Sequence, residues 1–311
     1  MKTLIKNGLL IDPANQVQAY LNLILEDGKV VAVTEEEPEA DRVIDATGKV
    51  VAPGFIDIHM HEDPVKDGKI EFCIFDAMLR MGVTTAVGGN CGINVYDPVK
   101  YLDMVEKDGA PVNVMLFAGH QYFREAAGAL DKYAPVTKEQ QEHMKKGLEK
   151  ALEAGCVGIS YGLRYVPGTG RDEFLDTASC CEKEHRMISA HVRDDEDRVF
   201  GAVAEVAEAG KLYNIPVQVS HIGSMAGFGQ MKQLLRQVDG YRMNGIDVAC
   251  DCYPYFAFST RIGATTYDDG WLERYHCDYS ACQLTEGKYK GQRCTPETFA
   301  EMRRDFPECL T

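Results

Sequence analysis

A barrel of parallel βα units behind a small β module is the α/β fold this sequence predicts, on three observations. Short apolar runs alternate with longer helix-patterned stretches from residue 54 onward, the rhythm of successive parallel βα units. Many such runs follow one another, and no Gly-rich phosphate loop opens the first helix, which favours a barrel over an open doubly wound sheet. Ahead of Pro53-Gly54 the rhythm is different: short strands joined by tight turns.

The elements follow in order. Leu21 to Leu25 and Lys29 to Val33 flank Asp27-Gly28, a strong hairpin signal. Val43-Ile44-Asp45 turns at Thr47-Gly48 into Lys49-Val50-Val51, completing a small β module over residues 1–53. Strand candidates then fall at Phe55 to His59, Thr84 to Val87, Val112 to Phe117, Val157 to Ser160, Met187 to Ala190, Val217 to Ser220 and Ile246 to Cys250. Of the helices between them, Lys138 to Ala154 begins with Thr137 and Gln140 in a capping-box arrangement. Near the end, Thr295-Pro296-Glu297 places a cap and a first-turn proline before a helix running to about Asp305. Cys309-Leu310-Thr311 reads as the start of another strand. Seven strands are not eight, so residues 54–311 are expected to form a TIM-type barrel incomplete at its C-terminus.

The chain has 311 residues, 45% of them apolar, ample for a packed core. Its formal charge of -15 (33 Lys plus Arg against 48 Asp plus Glu) repels nucleic acid and anionic membranes and argues for a small-molecule partner. No apolar run is long enough to span a bilayer, and Met1-Lys2-Thr3-Leu4 lacks the features of a signal peptide, so a cytoplasmic protein is expected. The eleven cysteines are scattered, several in apolar strand-like runs, and read as reduced and buried.

His59 and His61 are the sharpest chemical feature. Residues two apart on a strand share a face, so a His-x-His at the end of the first barrel strand puts two imidazoles at the mouth where active sites sit. His191 and His221 are each the next polar residue after an apolar strand. Either alone reads equally well as an ordinary strand end; that two strands end identically makes metal ligation the better reading. His120, His143, His185 and His276 read as solvated. Cys91 closes another strand inside the Gly-rich turn Gly88-Gly89-Asn90-Cys91-Gly92; a thiolate beside imidazoles suits Zn²⁺, while a plain buried thiol is the commoner reading.

Pro53-Gly54-Phe55-Ile56-Asp57-Ile58-His59-Met60-His61 resembles the opening signature of the amidohydrolase superfamily. Gly89-Asn90-Cys91-Gly92, Asp251-Cys252-Tyr253-Pro254-Tyr255 and, more loosely, Gly158 to Leu163 resemble its N-acyl-D-amino-acid deacylase (D-aminoacylase) branch. The resemblance implies a metal-bearing barrel beside a small β-sandwich. It implies that His59 and His61 serve one, weaker metal position, and that Cys91, His191 and His221 hold a tight zinc. The stretch Cys156 to Leu163 carries no carboxylate or amine to bridge two metals, and a cysteine from the second strand fills that vacancy. Tyr253 and Ser259 resemble positions that touch the substrate carboxylate, although aromatic loop packing explains Tyr253 as well. Arg164 and Tyr165 follow the fourth strand and face the mouth.

The expected reaction is zinc-dependent deacylation of N-acyl-D-amino acids. The resemblance places the proton-transferring aspartate in a Ser-Asp-Gly at the eighth strand. This sequence has no such motif, and neither Asp251 nor Asp57 reads as its replacement. An inactive metal-binding remnant and a cyclic-amide hydrolase of the dihydroorotase or hydantoinase type are the alternatives. After His221 the branch often carries a further histidine and a lysine, whereas this chain has Ile222-Gly223.

Overall fold

The computed structural model describes all 311 residues. The chain divides into two compact units, Met1–Phe55 and Ile56–Thr311.

In the first unit one sheet orders Lys29–Thr34, Asn22–Glu26, Lys2–Lys6 and Arg42–Asp45, and another orders Val17–Tyr20, Leu9–Asp12 and Val50–Val51. The hairpin predicted at Asp27-Gly28 forms with both residues left-handed (φ 49° and 78°), the two-residue turn whose twist matches the strands. Leu4, Leu10, Ile24 and Ala46 are its buried residues of apolar type.

The second unit is mixed α/β. All seven predicted strands form: β1 (Phe55–Asp57), β2 (Val83–Gly88), β3 (Asn113–Leu116, resumed after Phe117 as Ala118–Gly119), β4 (Gly158–Gly162), β5 (Met187–His191), β6 (Val217–Val219) and β7 (Val248–Cys250). They lie in chain order as two ladders, β1-β2-β3 and then the continuation of β3 through β7; β2 to β3 and every pair from the continuation of β3 onward are parallel. Phe117 joins the ladders: its N–H donates to Gly88 O, while Val157 N–H donates to Leu116 O. The two outer strands, β1 and β7, are not paired with each other.

Helices cover the sheet. Leu148, Leu152, Phe174, Val203, Val206 and Leu234 pack with Ile159, Ile188, Val217 and Val248 in one apolar core, and β4 is buried along its whole length, as a strand covered on both faces must be. The helix Lys138–Glu153 begins in the expected capping box of Thr137 and Gln140. No helix is long and apolar enough to cross a membrane.

Residues beyond β7 build a satellite core from Ile262, Tyr267, Trp271, Leu284, Phe299 and Met302. Helix Pro296–Asp305 starts at Thr295 with proline in its first turn, as read from the sequence. The last residues are extended, but their partner is the segment 260–263, not a barrel strand: Thr260 and Thr311 exchange backbone hydrogen bonds, and Ile262 N–H donates to Cys309 O.

Two expectations need correction. All eleven cysteines are free, but Cys73 and Cys252 are exposed: Cys73 sits at the start of helix Ile74–Arg80 and Cys252 in the loop after β7, where no second layer covers them. His120 is buried, not solvated. It opens the helix His120–Ala126, with Nε2 3.0 Å from Glu173 Oε1 and its ring against Tyr161, so it follows its strand directly into the core. His143, His185 and His276 are exposed.

Candidate metal centre

Parallel strands in chain order bring their carboxyl ends to one side, and the turns there carry the chemistry. β1 ends early because Asp57 Oδ1 accepts the N–H of His59, turning the chain two residues before that histidine. His191 is the last residue of β5, and His221 follows β6 in a left-handed conformation (φ 34°, ψ 51°).

Cys91 sits on a strained turn. It is itself left-handed (φ 56°) between Gly89 (φ 72°) and Gly92 (φ 78°). Both glycines are obligatory: a Cβ at Gly89 lies 2.3 Å from Phe117 O, and one at Gly92 lies 2.8 Å from Gly162 N. Polar side chains hold the turn in place. Asn90 Nδ2 donates to Val87 O and Ile58 O, and Gly92 N–H donates to Ser160 Oγ. Ser189 Oγ donates to Asn90 Oδ1.

Glu62, beside His61 in sequence and buried, clasps both ends of this turn, and the sequence reading overlooked it. Its Oε2 accepts from Gly89 N–H (2.7 Å), and its Oε1 accepts from Asn94 Nδ2 (3.1 Å) and Val95 N–H (3.2 Å). Glu62→Gln turns one of these acceptors into a donor facing donors. It is expected to cost about 1–3 kcal/mol of stability, read as a lower denaturant midpoint. An unchanged midpoint contradicts the role.

The four histidines and Cys91 converge. Cys91 Sγ lies 3.4 Å from His59 Nε2 and 3.6 Å from His221 Nε2. Two donor groups result, His59/His61/Cys91 and Cys91/His191/His221, each with all donor atoms within 4.8 Å of one another. Cys91 belongs to both. Two of the Nδ1 atoms are held by oxygens outside the groups: that of His221 meets Ser224 Oγ at 3.0 Å, and that of His59 meets Asp251 Oδ2 at 3.4 Å. His191 Nδ1 is buried without a partner.

The electrostatics match a thiolate among imidazoles. Burial opposes ionisation of Cys91, yet hydrogen bonds from His191, His221, His59 and His61 pull its thiol well below the ordinary range. Burial disfavours the charged His59, but its hydrogen bonds to Asp251 and Cys91 override this and push it up to about 10. His191 goes the other way, down to about 4, through burial and the neighbouring His221. The metal-free protein is therefore expected to keep the Cys91 thiolate below the ordinary thiol range, losing it as pH falls through the depressed pKa. The check is ultraviolet thiolate absorbance against Cys91→Ala: a difference that persists below the ordinary thiol range is predicted, and no difference until that range contradicts it.

A cavity of about 400 Å³ opens over these donors. Tyr165, Tyr253 and Ser259 line it as the sequence suggested, with the Tyr165 ring 4.4 Å from that of His191. Arg164 is not brought to it: the guanidinium turns to Asp194 (3.4 Å) and the backbone oxygen accepts from Thr265 Oγ1. Asp195 and Tyr275 also line it and went unread; the Tyr275 hydroxyl donates to Asp195 Oδ2 at 2.5 Å while Arg274 pairs with Oδ1 at 2.8 Å. Tyr275 lies 80 residues further along the chain, a distance no local pattern bridges.

Residues 42–162 match the amidohydrolase family. The chain is 31% identical over 283 residues to an N-acyl-D-glutamate deacylase of Alcaligenes xylosoxydans xylosoxydans, covering 82% of this chain and 57% of that protein. It is 28% identical over 287 residues to a D-aminoacylase of the same organism, covering 83% and 58%. It thus spans less than two thirds of the length of these curated relatives. Among solved structures, the N-acyl-D-glutamate deacylase of Bordetella bronchiseptica, complexed with zinc and a phosphonate inhibitor that mimics the tetrahedral intermediate, superposes with a TM-score of 0.82. That match has 28% identity and covers 99% of this chain and 70% of the other.

Proposed function

We propose that the chain is a member of the amidohydrolase family, a zinc-dependent hydrolase that removes the acyl group from N-acyl-D-amino acids. We read residues 54–311 as a TIM-type barrel lacking its last strand and residues 1–53 as half of a β-sandwich. The observation that carries the function is the convergence of four imidazoles on one buried cysteine below a cavity of about 400 Å³.

The donor set fits zinc. One sulfur and several ring nitrogens form a mixed soft and borderline set, and His191, one of its members, has a ring nitrogen buried without a hydrogen-bond partner. Cys91, His191 and His221 are the proposed tight site; His59 and His61, sharing Cys91, are the proposed second and weaker one. When bound, zinc supplies a Lewis acid that polarises the amide carbonyl and activates water.

The remaining residues bind and orient. Tyr253 and Ser259 offer hydroxyls to the substrate carboxylate, and Tyr165 packs against His191 so that its ring cannot swing away. Arg164, paired with Asp194, is left out of substrate binding. The absence of any carboxylate or amine along β4 (Gly-Ile-Ser-Tyr-Gly) favours this reading over a cyclic-amide hydrolase with a bridging lysine.

The test is incubation of the zinc-loaded protein with N-acetyl-D- and N-acetyl-L-amino acids, following release of the free amine. Hydrolysis of D substrates in preference to L is expected. Tight zinc binding without any hydrolysis reduces the protein to a metal-binding one, and hydrolysis of hydantoins or dihydroorotate in preference to N-acyl amino acids replaces the reading.

A further inference from the structure

We infer that Asp251, the residue after β7, is the positioning residue that locks the two donor groups into one centre, an inference that rests on the zinc reading above. Three donors converge on this single, largely buried carboxylate. Oδ1 accepts the backbone N–H of His221 at 2.6 Å; Oδ2 accepts from Gln218 Nε2 at 2.8 Å and faces His59 Nδ1 at 3.4 Å. These come from opposite ends of the strand series, since His59 follows β1 while Gln218 lies on β6 with His221 just beyond it. As β1 and β7 share no backbone pairing, Asp251 is what ties the first strand's histidine to the last strands at the mouth.

Each contact has a definite consequence. By accepting from His59 Nδ1, the carboxylate leaves Nε2 turned toward Cys91, which Nε2 approaches at 3.4 Å. By accepting the His221 N–H, it holds a residue without glycine's freedom in a left-handed backbone (φ 34°), the conformation that aims its Nε2 at the same sulfur. Gln218, buried on β6, fixes the carboxylate between them. An outer carboxylate that orients metal-ligating imidazoles in this way typically changes metal affinity by roughly 10- to 100-fold when lost.

The experiment uses Asp251→Asn, which keeps the shape but sets an amide N–H₂ against one or more donors. Two readouts apply: zinc affinity by chelator competition, and the exchange-protected His59 Nδ1–H resonance in the metal-free protein. Zinc binding weakened by roughly 10- to 100-fold together with loss of the protected resonance is the expected result. Affinity within twofold of the parent overturns the inference whatever the resonance does. If the variant does not fold, the parent decides: absence of a protected His59 Nδ1–H there overturns it equally. A parent that binds no zinc yet loses the resonance in the variant defeats the zinc reading while leaving the Asp251–His59 tie in place.

Discussion

Replacing Cys91 with serine is expected to weaken zinc binding by at least about 100-fold, beyond what the loss of an outer partner costs, and to abolish any zinc-dependent deacylation. The reason is topological as much as chemical. Cys91 is the one donor common to both groups, so its loss removes the anion from each at once. Serine retains the size and the left-handed turn, but a hydroxyl does not ionise near neutral pH and offers no thiolate to zinc. The turn is held by Glu62, Asn90 and Ser160 through contacts that do not involve the sulfur, so the fold is expected to survive. Equilibrium competition against a chelator checks this, with circular dichroism as the control. Zinc affinity equal to the parent's removes Cys91 from the centre.

The largest effect on stability is expected far from the proposed metal centre. Arg124 is fully buried, yet every arm of its guanidinium is engaged: Nε meets Glu173 Oε1 at 3.1 Å, Nη1 donates to Asp131 O at 3.0 Å, and Nη2 donates to Ala134 O. It thereby joins helix His120–Ala126 to helix Arg171–Ala178 and pins the loop between residues 127 and 136. Arg124→Ala strands the buried Glu173 carboxylate with only His120 beside it and takes from Ala134 O its one hydrogen-bond donor. Breaking one side of a buried ion pair costs about 3–5 kcal/mol, far more than an exposed pair, so a large fall in denaturant midpoint follows. A shift below about 1 kcal/mol, the range of exposed pairs, contradicts this account of the cluster.

Much of the fold is legible because β4 to β6 are short, largely buried runs, and parallel strands covered on both faces must read that way. The same rule carries His191 and His221 to the centre, since a polar residue directly after such a run falls at the mouth. Asp251 obeys it too, after Val248–Cys250, but its purpose depends on meeting His59, 192 residues away, which no local pattern contains. His120 shows the rule's limit from the other side. It follows its strand just as His191 does, yet the chain turns at once into a helix whose inner face meets Glu173, and the imidazole is drawn into the core. Glu62 was hidden by its neighbours: beside His61 an acidic residue reads as one more polar group. Only the left-handed turn at Cys91, which brings the Gly89 N–H back toward it, reveals what it holds.

One cysteine sulfur and several imidazoles are proposed to hold the same zinc. X-ray absorption at the zinc edge, on protein loaded with one equivalent and freed of excess, tests it most directly. A single sulfur scatterer at about 2.3 Å with nitrogen or oxygen neighbours at about 2.0–2.1 Å is expected, and loss of the sulfur shell in Cys91→Ser. A shell of nitrogen and oxygen alone, or one with several sulfurs, contradicts it.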